Sequence, residues 1–320
     1  MSYINWSNYH DELIDLKEKG VSSDNIAEIF TLKYGSEFKN KGRSIRKYLN
    51  RQGLGGNVEP NKEARVLVYD TETSHIIARV WGLWKQNIQP SEIIKDWFVL
   101  CWSAKWLWDD TIYSMGCTPE EIEKGDDRRI MQGLWNLLDE ADVVIYHNGI
   151  KFDRKVVQTR FLLHKLYMPS PYLEIDTLLH ARKKFKVSSN RLDYLGDYLG
   201  VGRKVETEKG LWNKVEDGDA EAMERMKAYC DGDILLLESV YFEMRPYIMP
   251  HPNIGLMMET DGDLTCPTCG STNLTENGEY KTTVNVYQNY TCNDCHSHSR
   301  ARKGKLSIKE RESIMSSIPK

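Results

Sequence analysis

Two short, nearly wholly apolar runs do most to limit what this chain can fold into: Arg65–Asp70 (RVLVYD) and Asp142–Tyr146 (DVVIY). Consecutive apolar positions over so few residues, bounded by charged residues, are the pattern of a buried strand. Residues 79–84 (RVWGLW) and 97–108 (WFVLCWSAKWLW) are rich in β-branched and aromatic residues and predict further strands. Helices are predicted over 127–140 and 152–165, and the chain is expected to stay mainly helical to about residue 246. A sheet laid down first and then flanked by helices is an α/β domain.

Each buried run ends in chemistry. Asp70 and Glu72 follow directly on the first. Residues i and i+2 of a strand point to one face, so both carboxylates emerge together at the strand's end. Two such acids resist ionising side by side, and a divalent cation removes that penalty. The second run leads through Tyr146-His147-Asn148-Gly149 into a helix that opens at Asp153. A carboxylate there lies at the sheet edge where α/β active sites gather. It could also serve only as a helix cap. Further on, Tyr229 and Asp233 are four residues apart, one turn of a helix on one face. Each feature alone is common; an amphipathic helix with a half-buried tyrosine explains the last as well.

The cysteines divide into two groups. Cys101, Cys117 and Cys230 are scattered through apolar or mixed segments. Cys266-Pro-Thr-Cys269 and Cys292-Asn-Asp-Cys295 are two tight CxxC pairs with a β-rich stretch, Tyr280–Tyr290, between them. Four thiolates in two such knuckles suit one tetrahedral zinc. A complete set of four leaves no open position, so the zinc is structural, and His296 and His298 are bystanders. The glycine after the first knuckle, Gly270, provides a tight turn, and Thr282–Tyr290 reads as one strand. Arg300, Arg302, Lys303 and Lys305 lie just beyond, with Tyr287 and Tyr290 available for stacking. A grip on nucleic acid and a protein-docking role fit this end equally well.

The first 57 residues read as helices. Leu13, Ile14 and Leu16 form one stripe. Ser22-Ser23-Asp24 caps a second helix carrying Ile26, Ile29 and Phe30, and a third has Ile45, Tyr48 and Leu49 on one side. Seven basic residues lie between Lys33 and Arg51 against one acid, Glu37. The segment resembles a helix-turn-helix, with phosphate contact from its basic residues as the expectation. Gln52–Asn57 (QGLGGN) followed by Pro60 marks a linker. The net charge of the whole chain is −4, so any attraction for nucleic acid must be local. No secretory layout opens the sequence and no apolar run is long enough for a membrane span. With paired thiols, this points to a reducing compartment, the cytoplasm.

Taken together the acids form a pattern. Glu72 to Asp153 spans 81 residues and Asp153 to Asp233 spans 80. Asp70-Thr71-Glu72-Thr73, then Asn148 with Phe152-Asp153, then Tyr229-x-x-x-Asp233, resemble the three motifs of the DEDD exonuclease superfamily. A tyrosine four residues before the last aspartate marks its Tyr subclass; the His subclass carries histidine one position earlier, where this chain has Ala228. Glu174–Thr177, Ser189–Leu195 and Leu199–Gly202 are similar to the segment that leads to the third motif in family B polymerase exonucleases. The similarity covers about residues 64–247, with no polymerase domain after it, as in free-standing nucleases often encoded by bacteriophages; for such an origin the compartment is the host cytoplasm.

The resemblance implies an RNase H-like mixed sheet flanked by helices over 64–247, between a helix-turn-helix-like module at 1–57 and a zinc ribbon at 263–300, with a basic tail at 301–320. It implies 3′–5′ hydrolysis of DNA, at single-stranded 3′ ends, with two Mg²⁺ or Mn²⁺ ions. Asp70, Glu72 and Asp233 would hold the ions, Asp153 would act largely through water, and Tyr229 would orient the attacking water. Thr73, Asn148 and Phe152 would touch the substrate. Relatives that trim RNA leave RNA open as a substrate, and a replication protein open as a partner. An inert DNA-binding adaptor is the contrasting reading, against which stands the presence of all four acids and the tyrosine.

Overall fold

The computed structural model describes residues 6–19, 23–39, 41, 45, 49, 64–258 and 262–315. The chain divides into two compact units: residues 1–60, 65–173 and 204–235 form one, and 61–64, 174–203 and 236–320 the other.

The first unit is built on the two apolar runs. They form β1 (Val66–Thr73) and, after the short β2 (Ile77–Ala78), β3 (Ile93–Lys95), β4 (Val99–Trp106) and β5 (Ile112–Gly116), the strand β6 (Val143–Tyr146). The sheet order is β5-β4-β1-β6. A fifth strand, β7 (Leu173–Asp176), begins where the Leu173 amide donates to the Asp142 carbonyl. β1 pairs antiparallel with β4, Asp70 opposite Ser103 and Glu72 opposite Cys101. It pairs parallel with β6, and the last partners are Val68 and Ile145. The sheet is therefore mixed. Every residue of β4 and β6 is buried, as a strand with both faces covered requires. Helix Arg128–Glu140 presents Ile130, Met131, Leu134 and Leu138 to this core.

Three differences from the sequence reading have plain causes. Residues 79–84 are not a strand. They lie in the excursion between β2 and β3, with Trp81, Leu83 and Trp84 more than four-fifths exposed. Strand propensity measures fit to a half-buried sheet; the Arg79 amide still donates to the Glu92 carbonyl beside β3, but the residues after it leave that pair for solvent. The stretch after residue 165 is interrupted by β7 before helices Thr177–Lys184 and Leu192–Leu199. The third concerns the cysteine-bearing end. Thr282–Tyr290 is not one strand: Thr282 to Asn285 form a turn, with the Thr282 amide donating to the Asn285 carbonyl, between β8 (Leu274–Lys281) and β9 (Val286–Cys292). A third strand, β10 (His298–Gly304), carries Arg300, Arg302 and Lys303, so these lie within the sheet rather than beyond it. The order is β10-β9-β8, and a short helix, Ile308–Glu312, follows with a Ser307 capping box.

The N-terminal helices His10–Glu18 and Ser23–Tyr34 bury Leu13, Ile26 and Phe30 together with Phe38, Ile45 and Leu49. The Ser22 cap, Tyr48, most of the basic segment Arg43–Arg51 and the linker Gln52–Pro60 lie outside the described residues. No helix among the described residues is long and apolar enough to cross a membrane.

Candidate active site

β1 outruns its parallel partner. Beyond Val68 it continues through Asp70 and Glu72 while β6 has turned away at Tyr146. The two carboxylates thus stand at the carboxyl end of the parallel pair, both half-buried and both on one face. Helix Ala220–Met244 brings the third. The Ser103 hydroxyl on β4 donates to Asp231 at 2.5 Å, and Cys230 Sγ lies 3.8 Å from Asp70 Oδ2. These contacts fix the helix rotation, so Tyr229 and Asp233 flank the strand end. Gly232 has a reason of its own: a Cβ there would lie 3.2 Å from Val205 Cγ2, on the segment next to Lys204.

Carboxylate oxygens of Asp70, Glu72 and Asp233 lie within 4.8 Å of one another. Asp153 is not in that group. It is the first residue of helix Asp153–Leu163, and it is 2% exposed. Its Oδ1 accepts from the Thr71 hydroxyl at 2.8 Å and the Thr71 amide at 3.2 Å. It is near enough to raise the Asp70 pKa, so four acids share one region and three converge. The helix bearing Asp153 is pinned by a buried network. Arg160 donates through Nε and Nη2 to Asp127 at 2.7 and 2.8 Å, His164 Nε2 contacts the same carboxylate, and the Val99 amide donates to it at 2.8 Å. Asp127 is fully buried.

The electrostatics leave a concentration of negative charge at the strand end. Burial, then repulsion from Asp153, Glu72 and Asp233, holds Asp70 well above the usual carboxylate range. Burial and Asp233 push Glu72 up to about 8. One ammonium answers them: Lys204 Nζ lies 2.5 Å from Asp233 Oδ2 and 3.2 Å from the Tyr229 hydroxyl. Burial works against that charge, but the Asp233 carboxylate beside it holds the Lys204 pKa above its ordinary value. Burial and Asp233 push the Tyr229 phenol up to about 12, so the ring keeps its proton at neutral pH. Its position is set by Trp212, edge-on at 6.1 Å between centroids, and by Lys204, 5.3 Å from the ring centre. Lys204 escaped the sequence reading. Its only signal there is that it stands two residues after Gly202, at the end of a segment already singled out.

The remaining candidates lie on the segments that carry the acids: Thr73 follows Glu72 on β1, and Asn148 and Phe152 precede Asp153. Thr73 ends β1 just past a register shift after Glu72. Asn148 adopts a left-handed φ of 69°, a conformation asparagine tolerates. Its carbonyl accepts from Lys151 and Phe152 and closes the turn into the helix. Phe152 precedes Asp153 and is 45% exposed.

An all-oxygen donor set of this kind fits hard divalent cations such as Mg²⁺ or Mn²⁺. The cysteines form a second, chemically distinct group. All four sulfurs lie within 4.8 Å of one another, and the pairs Cys266–Cys295 and Cys269–Cys292 are each 3.6 Å apart. A tetrahedron with Zn–S bonds of about 2.3 Å has an edge of roughly 3.8 Å, so the spacing fits zinc and is far too long for disulfides. Gly270, with φ 79°, turns the chain so that its amide donates to the Cys266 carbonyl at 2.9 Å. That left-handed conformation is open to glycine at little cost.

Residues 114–245 match the model of the RNase_H superfamily. The match includes Asp153, Tyr229 and Asp233 and begins after β1. With the mixed sheet flanked by helices, it makes the fold RNase H-like. That superfamily consists mostly of nucleases, which supports, at that coarse level, a hydrolase acting on nucleic acid. No curated protein matches the chain.

Proposed function

We propose that the chain is a 3′–5′ exonuclease that removes nucleotides from single-stranded DNA ends. The observation that carries this reading is the convergence of Asp70 and Glu72 from β1 with Asp233 from the long helix, oxygens within 4.8 Å, with Tyr229 one turn before Asp233. Two Mg²⁺ or Mn²⁺ ions held by Asp70, Glu72 and Asp233, with Asp153 acting through water, would supply Lewis-acid stabilisation and a hydroxide nucleophile.

The chain's own groups do the rest. Tyr229, protonated at working pH, offers its hydroxyl to position the attacking water. Lys204 neutralises part of the acid cluster and lies where a phosphate oxygen would accept from it. Thr71 holds Asp153 in one orientation. Phe152, exposed beside Asp153, offers a ring against which a terminal base can stack, and Asn148 and Thr73 would contact the sugar or base. A flexible, unpaired end can reach such a recessed cluster more easily than a duplex can.

The test is a product ladder from 5′-labelled single-stranded DNA, double-stranded DNA and single-stranded RNA, each with and without added Mg²⁺. A ladder shortened from the 3′ end, fastest on single-stranded DNA, dependent on Mg²⁺ and absent in Asp70→Ala, is expected. Digestion by Asp70→Ala at the parental rate, or a ladder shortened from the other end, sinks the reading.

A further inference from the structure

We propose that the face of the three-stranded ribbon turned away from its sulfurs is a binding platform for single-stranded DNA. The strand register defines that face. Along β9, Tyr287, Asn289 and Thr291 alternate with Val286, Gln288, Tyr290 and Cys292, so the two sets occupy opposite faces. Cys292 and its partner Leu274 belong to the sulfur side. Tyr280 lies opposite Tyr287, Arg300 opposite Asn289, and His298 opposite Thr291, which places all three on the other side. Tyr290 is opposite Glu276 on the sulfur side, so the stacking pair is Tyr280 with Tyr287 rather than Tyr287 with Tyr290.

Charge is sorted by the same register. The only carboxylates on the three strands, Glu276 and Glu279, pair with Tyr290 and Gln288 and fall on the sulfur side. The platform side carries none. Arg300 lies 4.0 Å from the centre of the Tyr287 ring and 5.8 Å from that of Tyr280, and its Nη1 donates only to the neighbouring Ala301 carbonyl, at 3.2 Å. Among the described residues, no carboxylate is within ion-pair distance of Arg300, Arg302 or Lys303, whereas the next cation, Lys305, pairs with Glu279 at 3.1 Å.

The composition selects the occupant. Half-exposed Tyr280 and the guanidinium presented over Tyr287 are planar surfaces on which bases stack, whatever their sequence. Arg300, set on this face by its register, suits a phosphate, with Arg302 and Lys303 following it through the register shift that ends the strand. Asn289, Thr291 and His298 add polar groups but no aliphatic surface of the kind a protein interface buries at its centre. Holding Arg300 against a ring also lowers the entropy lost when it binds. The inference builds on the reading that nucleic acid is the substrate, and it assigns the ribbon the task of holding the strand.

Fluorescence anisotropy of labelled oligothymidylate and oligouridylate tests it, using the full chain with Asp70→Ala so that the strands stay intact. Base stacking is worth about 1–3 kcal/mol per base, so Tyr280→Ala/Tyr287→Ala is expected to weaken oligothymidylate binding about fivefold or more. Tyr280→Phe/Tyr287→Phe should stay within about twofold. Arg300→Glu/Arg302→Glu, on exposed positions that tolerate change, should weaken binding and flatten its salt dependence. Equal zinc content in all variants confirms that the ribbon is folded. A loss on oligothymidylate alone or on both strands supports the platform. Parental affinity for oligothymidylate in the zinc-loaded alanine and glutamate variants overturns it. Should the Asp70-intact chain cut nothing, the active-site reading fails while the binding result stands by itself; should it cut normally while these variants bind like the parent, only the platform fails.

Discussion

Replacing Lys204 by methionine isolates the electrostatics of the acid cluster. The change removes the ammonium and keeps most of the aliphatic stem. In the protein, Nζ lies 2.5 Å from an Asp233 carboxylate that is 2% exposed, and the lysine side chain is 32% exposed. At an effective dielectric near 20 the gross attraction over that distance is about 7 kcal/mol. Desolvation cancels much of it; breaking a fully buried pair costs about 3–5 kcal/mol. Solvent reaches the one-third-exposed Lys204, so the net loss should be about 2 kcal/mol, below the fully buried case. For a unit of this size that is a fall in Tm of about 4–8 °C. Added Mg²⁺ supplies the missing positive charge, and binding to the folded state raises Tm by mass action. Scanning calorimetry of Lys204→Met and parent, each with and without Mg²⁺ and with zinc retained, should therefore show Mg²⁺ raising Tm more in the variant and closing at least half the gap. An equal deficit with and without Mg²⁺ would refute the argument, because the lysine would then act through packing and not as a cation facing a cation site. No deficit at all would refute it too.

Further expectations follow from individual contacts. Thr71→Val keeps the shape but deletes the 2.8 Å hydrogen bond to buried Asp153; urea unfolding should show a loss of about 1–2 kcal/mol. Single-turnover cleavage should slow about tenfold while strand affinity is kept, and an unchanged rate would mean that Asp153 orientation is not set by Thr71. Metal analysis should give one zinc per chain, lost in Cys292→Ser together with β-strand signal, since so small a unit depends on its metal to fold. Finding no zinc in protein purified without chelator removes the ribbon's metal.

What the sequence determined by itself is the chemistry that lies within a few residues. An apolar run followed by Asp-x-Glu dictates two carboxylates on one face at a strand's end, because alternation is a property of the extended backbone. Tyr229 and Asp233 share a side because a helix turns once in about four residues, and one lysine was found between them to prove the point. Paired CxxC knuckles with a glycine behind the first foretell a four-sulfur cluster for the same local reason.

Tertiary structure decided everything that needs distant chain segments to meet. No local pattern says that Ser103 would hold Asp231, that Thr71 would hold Asp153 across 82 residues, or that Asp127, Arg160 and His164 would form one buried network. The tryptophans of 79–84 read as strand formers, yet the β2–β3 pairing reaches only to the Arg79 amide, which donates to the Glu92 carbonyl, and the exposed tryptophans lie past it. Lys204 carries no motif; it matters because folding sets its ammonium against Asp233 and Tyr229, near Asp70 and Glu72. The ribbon's sorted faces likewise depend on a register shift between Glu276 and Glu279, which moves Tyr280 to the side of Tyr287 and leaves both glutamates on the other. Local propensity fixes which groups a segment can offer, and only the closing of long loops fixes which of them face one another.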